Sequence, residues 1–336
     1  MMLAIALLLG SAVLIYLSCE YFVNSIEWVG RRLGIAQSAV GTVLAAFGTA
    51  LPESVVTFVA VVFGADAAHR EIGVGAALAG PLVLSTIAYA VVGLVFILQR
   101  KNSGNILLSA SAAGRLSRDQ SWFMGIFVLK VGLGLVAFAI KPWLGWLFLL
   151  AYGVYIWGEM RKEEEEDADA EINELEPLKF RPHDPLPGIG WALLQTVVAL
   201  VVIFLSSQLF VHQLGEIAPW LGISPQLAAL LLSPIATELP EILNAVIWVR
   251  QGKQTLALSN ISGAMMIQAT IPTALVLMFT PWMLNSALVW AAAVTMLSIA
   301  GLYGLLRRGM LSGGRLALFG LLYLAFALGL GLIGVR

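Results

Sequence analysis

Between Lys253 and Arg307 the chain runs for 53 residues, 254–306, without one Asp, Glu, Lys or Arg. A helix crosses the hydrocarbon core of a bilayer in about 20 residues. The stretch is therefore too long for one crossing, and Thr280-Pro281-Trp282 offers a turn near its middle. Other charge-free stretches cover 1–19, 72–99, 142–158, 185–215, 217–237 and 316–335. Read as helices, they predict ten spans, at about 3–26, 37–63, 73–98, 121–140, 142–160, 188–211, 225–249, 255–279, 284–305 and 315–335. The fold class is an all-α polytopic membrane protein. The first span has neither a basic leading region nor a small-residue cleavage site, which argues against a signal peptide.

Composition agrees. Of 336 residues 60% are hydrophobic and only 12% charged, about half the charge of an ordinary soluble domain. Such a chain could not clothe soluble domains, and it has no basic patch for nucleic acid. This excludes a soluble enzyme, a disordered protein and a nucleic-acid binder. The single cysteine, Cys19, excludes an internal disulfide framework and a cysteine-rich metal cluster.

The positions of the basic residues test the span count. With the N-terminus outside, the inner loops hold Arg31, Arg32, Arg100, Lys101, Arg115, Arg118, Arg161, Lys162, Lys179, Arg181, Arg250, Lys253, Arg307, Arg308 and Arg315. The outside holds Arg70, Lys141 and Arg336. A missed helix would invert every later loop, so this bias toward one side supports ten spans with both ends outside. The membrane implied is the cytoplasmic one.

The chain also repeats itself. A shift of 188 residues puts Leu17-Ser18 on Leu205-Ser206, Phe22-Val23 on Phe210-Val211, and Leu33-Gly34-Ile35 on Leu221-Gly222-Ile223. It also puts Thr49 on Thr237 and Leu51-Pro52-Glu53 on Leu239-Pro240-Glu241, and a shift of 183 puts Gly80 on Gly263. Five spans per half is an odd number, so the two copies enter the membrane in opposite directions. That is an inverted repeat, a plan common among secondary transporters with a site at the midplane. The expected organisation is a first repeat at 1–160, an acidic cytoplasmic linker at 161–187 and a second repeat at 188–336. The linker holds 10 of the 20 acids, has no calcium-binding loop pattern and reads as a solvated connection.

Apart from Glu159 at the end of its span, four acids remain within spans: Glu20, Glu53, Glu238 and Glu241. An acid inside a bilayer is costly and by default functional. Glu53 and Glu241 are repeat mates, each directly after a proline. Pro52 and Pro240 cannot donate a backbone hydrogen bond, so they free the carbonyls of Gly48 and Ala236. Each motif thus offers a carboxylate, a carbonyl and a hydroxyl (Thr49 or Thr237) within one turn. These oxygens suit a hard cation such as Ca²⁺ or Na⁺.

Glu238 has Ala50 as its mate and lies three residues before Glu241. Three carboxylates crowded together repel, so without cations one should hold a proton. This gives a route to H⁺ coupling, the alternative being a protonated helix–helix hydrogen bond. Glu20 reads as an interfacial acid near Arg31 or Arg32, with a site role as the alternative. Lys130 is expected to snorkel or pair. His69, His183 and His212 suggest no metal site.

The string Ala46-Phe47-Gly48-Thr49-Ala50-Leu51-Pro52-Glu53 and its mate Ala236-Thr237-Glu238-Leu239-Pro240-Glu241 resemble the α-repeat signature of the calcium/cation antiporter superfamily, in particular the prokaryotic sodium/calcium exchangers. The resemblance implies ten helices in a 5+5 inverted arrangement. It implies Glu53 and Glu241 as central cation ligands, assisted by Thr49 and Thr237. The family's second signature falls on 76–85 and 259–268, which puts its liganding Asn/Asp positions on Ser85 and Gln268 and its Ser positions on Pro81 and Ala264. The family's Ser in the first signature is Ala50 in one copy and Glu238 in the other.

The function expected is a secondary cation antiporter and not an enzyme. It would exchange Ca²⁺ for Na⁺ or H⁺ by alternating access, with no cofactor; inorganic cations and the lipid bilayer are its partners. Spans 1 and 6 would slide over a core of spans 2, 3, 7 and 8. Rivals are a transporter of another cation or small solute on the same scaffold, a non-transporting relative, and an intramembrane lipid-phosphate enzyme. The last would need an arginine beside the glutamates.

Overall fold

The computed structural model describes residues 2–33, 45–64, 66–99, 106, 108–166 and 175–333, with side chains at 45–49, 159–166 and 235–236 lying outside that description. Ten helical passes cover these residues. The first half comprises α1 (Met2–Arg32), α2 (Ala45–Val62), α3 (Ala67–Val83) continued by a π-helical turn and α4 (Tyr89–Gln99), α5 (Ala110–Gly134) and α6 (Gly145–Glu166). The second comprises α7 (Ile189–Leu221), the broken pair α8 (Pro225–Thr237) and α9 (Leu239–Arg250), α10 (Gln254–Phe279), α11 (Ser286–Arg307), and α12 (Gly313–Ala317) with α13 (Phe319–Ile333). Seven of the passes are long and apolar enough to cross a membrane by composition alone. The fold is ten transmembrane helices in two inverted five-helix repeats.

The fourth span differs from the reading at 121–140. Its helix starts eleven residues earlier, at Ala110, and ends at Gly134. Arg115 and Arg118 are expected in a loop, but Ser109 caps the helix through the Ala112 N–H, and its first turns carry these charges together with Asp119. Beyond it Thr280 to Asn285 make the turn between α10 and α11, with Trp282 buried at φ 45° and its amide held by the Thr280 hydroxyl at 3.1 Å.

Burial sorts the helices into a centre and a rim. α10 and α3 are buried along most of their length. In contrast, α1 and α13 present Leu9, Leu14, Leu321 and Leu328 outward. Exposed apolar side chains along whole helix faces belong against acyl chains, not water. The two halves meet across the centre: α1 packs on its repeat mate α7, while α3 packs on α8 and α2 on α10. At the α3–α8 crossing Gly75 lies so close that an added Cβ would sit 2.1 Å from the Gln226 carbonyl oxygen. Gly75→Ala is therefore expected to destabilise the protein by at least ~1–3 kcal/mol, seen as a lowered melting temperature in detergent.

The end of the linker is not simply solvated. Residues 175–187 lie across one end of α1 and α7, with Leu178 fully buried beside Trp28 and Ala192. The Trp28 indole N–H donates to the Glu176 carbonyl (2.9 Å), and the Phe180 N–H donates to Gln195 Oε1 (2.8 Å). Gln195 in turn donates to Asn24 Oδ1 at 3.0 Å, and Arg32 reaches the Pro187 carbonyl. Glu20 pairs with Lys179 of this strap at 3.0 Å rather than with Arg31 or Arg32. The acidic run 167–174 lies outside the described residues.

Candidate cation site

Proline chemistry shapes the centre. A proline inside a helix leaves the carbonyl four residues earlier without its usual N–H partner. α2 continues through Pro52, whereas α8 stops at Thr237 and α9 starts at Leu239, with Glu238 between them. The rule that frees Gly48 and Ala236 applies also to Pro81 in α3 and Pro272 in α10, which free Ala77 and Gln268. Each of the four helical passes that cross at the centre therefore has a carbonyl released by a proline. Pro81 and Pro272 are in plain view in the sequence, and the same four-residue offset finds their carbonyls.

Glu53, Thr237, Glu238, Glu241, Ser85 and Gln268 are all completely buried. Glu238 sits at the helix break, where two donors hold its carboxylate. The Thr237 hydroxyl donates to Oε1 at 2.9 Å, and Gln268 Nε2 donates to Oε2 at 2.8 Å. The Thr237 oxygen also lies 3.2 Å from the Ser233 carbonyl, so its one proton serves one of two acceptors. Donation to a carboxylate fixes the Gln268 amide with Nε2 toward Glu238 and Oε1 toward Gly80. Gly80 lets this happen: a Cβ there would stand 2.5 Å from Gln268 Oε1 and 2.9 Å from Glu238 Oε1.

Glu53 comes to the same place from α2. Glu238, Thr237 and Lys130 all lie within electrostatic reach of its carboxylate, yet neither oxygen closes a hydrogen bond of ordinary geometry with the described residues. Gln268 Oε1 is equally without a donor among the described residues. Glu241 opens α9 on the side of α1, within electrostatic reach of Cys19. Among the described residues no three of His, Cys, Asp and Glu converge as a metal cluster. The structure thus brings together Glu53, Glu238, Thr237 and Gln268, with Glu241 to one side.

Ser85 is not in that group. It lies in the π-helical turn Leu84–Ala88, its hydroxyl donates back to the Leu82 carbonyl, and its own carbonyl accepts from Ser298. The Thr49 side chain lies outside the described residues, as do those of Gly48 and Ala236, whose backbones are in α2 and α8. One buried cluster has no forerunner in the sequence reading: Gln120 Nε2 donates to Ser262 Oγ (2.7 Å) and Tyr89 Oη (3.3 Å). Three neutral polar residues on three different passes share no local spacing.

Buried acceptors without donors are rare and costly. The set here is carboxylate, amide, hydroxyl and carbonyl oxygen, without thiol or imidazole. That donor set fits a hard cation. A separate cavity of about 470 Å³ is lined by Arg118, Tyr303 and Arg307. Its guanidiniums suit no cation, and Arg118 lies twelve residues, about 18 Å of helix, before Lys130.

An inverted ten-helix repeat around buried carboxylates and helix breaks defines a polytopic secondary transporter. The chain belongs to the sodium/calcium exchanger protein family, whose model matches residues 3–160 and 191–332. Its members are secondary transporters, not enzymes. The inner membrane protein YrbG of Escherichia coli K12 is 27% identical over 293 residues, covering 84% of this chain and 81% of that one. In structure the chain is similar to the H⁺/Ca²⁺ exchanger CAX, with a TM-score of 0.74 at 18% identity over 97% of this chain and 82% of that one. It is also similar to the sodium-calcium exchanger NCX_Mj, with a TM-score of 0.60 at 19% identity over 96% and 97% of the two chains. These likenesses show a shared fold.

Proposed function

We propose that the protein exchanges Ca²⁺ for Na⁺ or H⁺ across the cytoplasmic membrane by alternating access at Glu53 and Glu238. The observation that carries this reading is the set of buried oxygens of Glu53 and Gln268, which lack proton donors among the described residues and lie beside a second carboxylate. Thr237, Thr49 and the carbonyls released by Pro52, Pro240 and Pro272 complete the ligand set. Glu241 stands where α1 covers the site, whereas Ser85, in the π-helical turn that follows α3, is not part of this ligand set. Two repeats at 1–160 and 188–336, joined by a cytoplasmic linker, agree with the two blocks of the family match. Both termini lie outside by the placement of basic residues.

The proton version draws support from Glu238. It is a carboxylate where its repeat mate is Ala50, and it lies beside Glu53. Two neighbouring carboxylates share a proton when no cation separates them, and an arriving Ca²⁺ displaces it. Reconstituted vesicles decide the matter through ⁴⁵Ca²⁺ uptake under separately imposed Na⁺ and pH gradients. Uptake driven by the pH gradient alone is the expected result. Uptake driven by Na⁺ alone assigns sodium as the coupling ion, and no uptake with either gradient overturns Ca²⁺ as the substrate.

A further inference from the structure

Lys130 is completely buried on α5, with its ammonium donating to the Ala77 carbonyl at 2.6 Å. Earlier on the same helix lies a second polar feature, the cavity of about 470 Å³ between α5 and α11. One wall carries Gly114, Ser117, Arg118 and Ser121 of α5, whose spacing puts them on a single helix face. Tyr303 and Arg307 of α11 stand on the other wall. A Cβ added at Gly114 would meet nothing among the described residues within 4 Å, so the α5 wall leaves open space where a side chain could stand.

The lining suits an anion. The Arg307 Nε–H donates to the Tyr303 hydroxyl at 2.9 Å, and the guanidinium lies 5.4 Å from the Tyr303 ring. That bond steadies the side chain along α11 and uses one of its five N–H donors. Ser117 and Ser121 add hydroxyls, and Arg118, which has interactions of its own within the protein, adds a second guanidinium. Among the described residues no acid lines the cavity; Asp119 follows Arg118 in the chain but is buried away from it. A guanidinium fork beside hydroxyls matches the oxygens of a phosphate group. The height of the cavity says where such a phosphate comes from. Ser121 and Arg307 are exposed at its mouth, Trp122 follows at 41% exposure, and Val128, Leu129 and Leu297 farther along the two helices are exposed and apolar. Tryptophan favours the boundary between hydrocarbon and headgroups, and the phosphates at that boundary belong to lipids. Topology would ask only for basic residues at this end of the helices, not for a walled cavity with hydroxyls.

We propose that the cavity between α5 and α11 binds the phosphate group of an anionic phospholipid, with Arg307 as its principal ligand. Basic pockets between transmembrane helices take such headgroups. The guanidiniums favour a headgroup whose phosphate is its only charge over one that brings a quaternary ammonium beside it. α5 belongs to the first half of the chain and α11 to the second, so one bound headgroup bridges the halves at their rim. The site does not depend on which ions the protein exchanges.

The test is lipid binding by the purified protein in a neutral detergent, titrated with phosphatidylglycerol or phosphatidylcholine and read by native mass spectrometry. One phosphatidylglycerol is expected to bind at least about tenfold more tightly than phosphatidylcholine. Arg307→Gln is expected to weaken that binding by about tenfold or more. Arg308→Gln removes the same charge from the same helix end but outside the cavity, and is expected to change binding by less than about twofold. Gly114→Leu keeps every charge, fills the open space, and is expected to lose as much as Arg307→Gln. Melting temperatures in lipid-free detergent show whether the variants fold, and if Gly114→Leu does not, the comparison of Arg307→Gln with Arg308→Gln still decides. Equal losses in those two variants would mean diffuse attraction to the helix ends and overturn the site, as would equal binding of the two lipids. A rise in melting temperature with millimolar inorganic phosphate, abolished by Arg307→Gln, would assign the cavity to a soluble anion and overturn the lipid.

Discussion

Glu53→Gln is expected to abolish ⁴⁵Ca²⁺ uptake, lowering it at least about 100-fold, while the protein still purifies as a monodisperse species with an unchanged or raised melting temperature. A unit charge 4 Å from a divalent ion is worth ~8 kcal/mol at an effective dielectric constant of 20, before the ion's dehydration is set against it. Losing a third of that, about 2.7 kcal/mol, is a 100-fold loss of affinity. The fold, by contrast, gains. Both Glu53 oxygens are buried without a donor among the described residues, and the neutral amide has the same shape without the charge. Loss of transport with loss of folding would make Glu53 a structural residue, and normal uptake would remove it from the site.

The second large effect is at Gly80. Gly80→Ala adds a methyl group 2.5 Å from Gln268 Oε1 and 2.9 Å from Glu238 Oε1. The obstacles are ends of flexible side chains, not backbone, so the fold should tolerate the change with little movement of the melting temperature. The ligands cannot stay where they are, and a displacement of about 1 Å at a preorganised site can cost roughly 100-fold. Flux is therefore expected to fall by about 10–100-fold. If Gly80→Ala transports normally, the Glu238–Gln268 pair is not where the ion binds.

Much of this molecule could be read from its residues, because a bilayer allows few solutions. Charge-free stretches marked ten passes, and the Leu-Pro-Glu pair showed the repeat. Errors arose where charge was taken as a sign of loop. Arg115, Arg118 and Asp119 lie on α5, since a capped helix carries charged turns outside the hydrocarbon as readily as a loop does. At the site, Glu238 and Gln268 meet thirty residues apart in the chain. The gap at Gly80 and the place of Lys130 depend on how helices from both halves cross, and no local spacing encodes that. Pro81 and Pro272 were legible and went unread, although they follow the rule that singled out Pro52 and Pro240.

The strap at residues 175–187 gives the protein a handle across the ends of two helices. It grips α1 through Asn24 and Trp28 and α7 through Gln195, so neither helix can shift without carrying it. His183 is exposed on the strap, and the chain's single cysteine, Cys19, is buried. A dye coupled to His183→Cys would therefore be alone on the molecule. It would report whether α1 and α7 move together during transport.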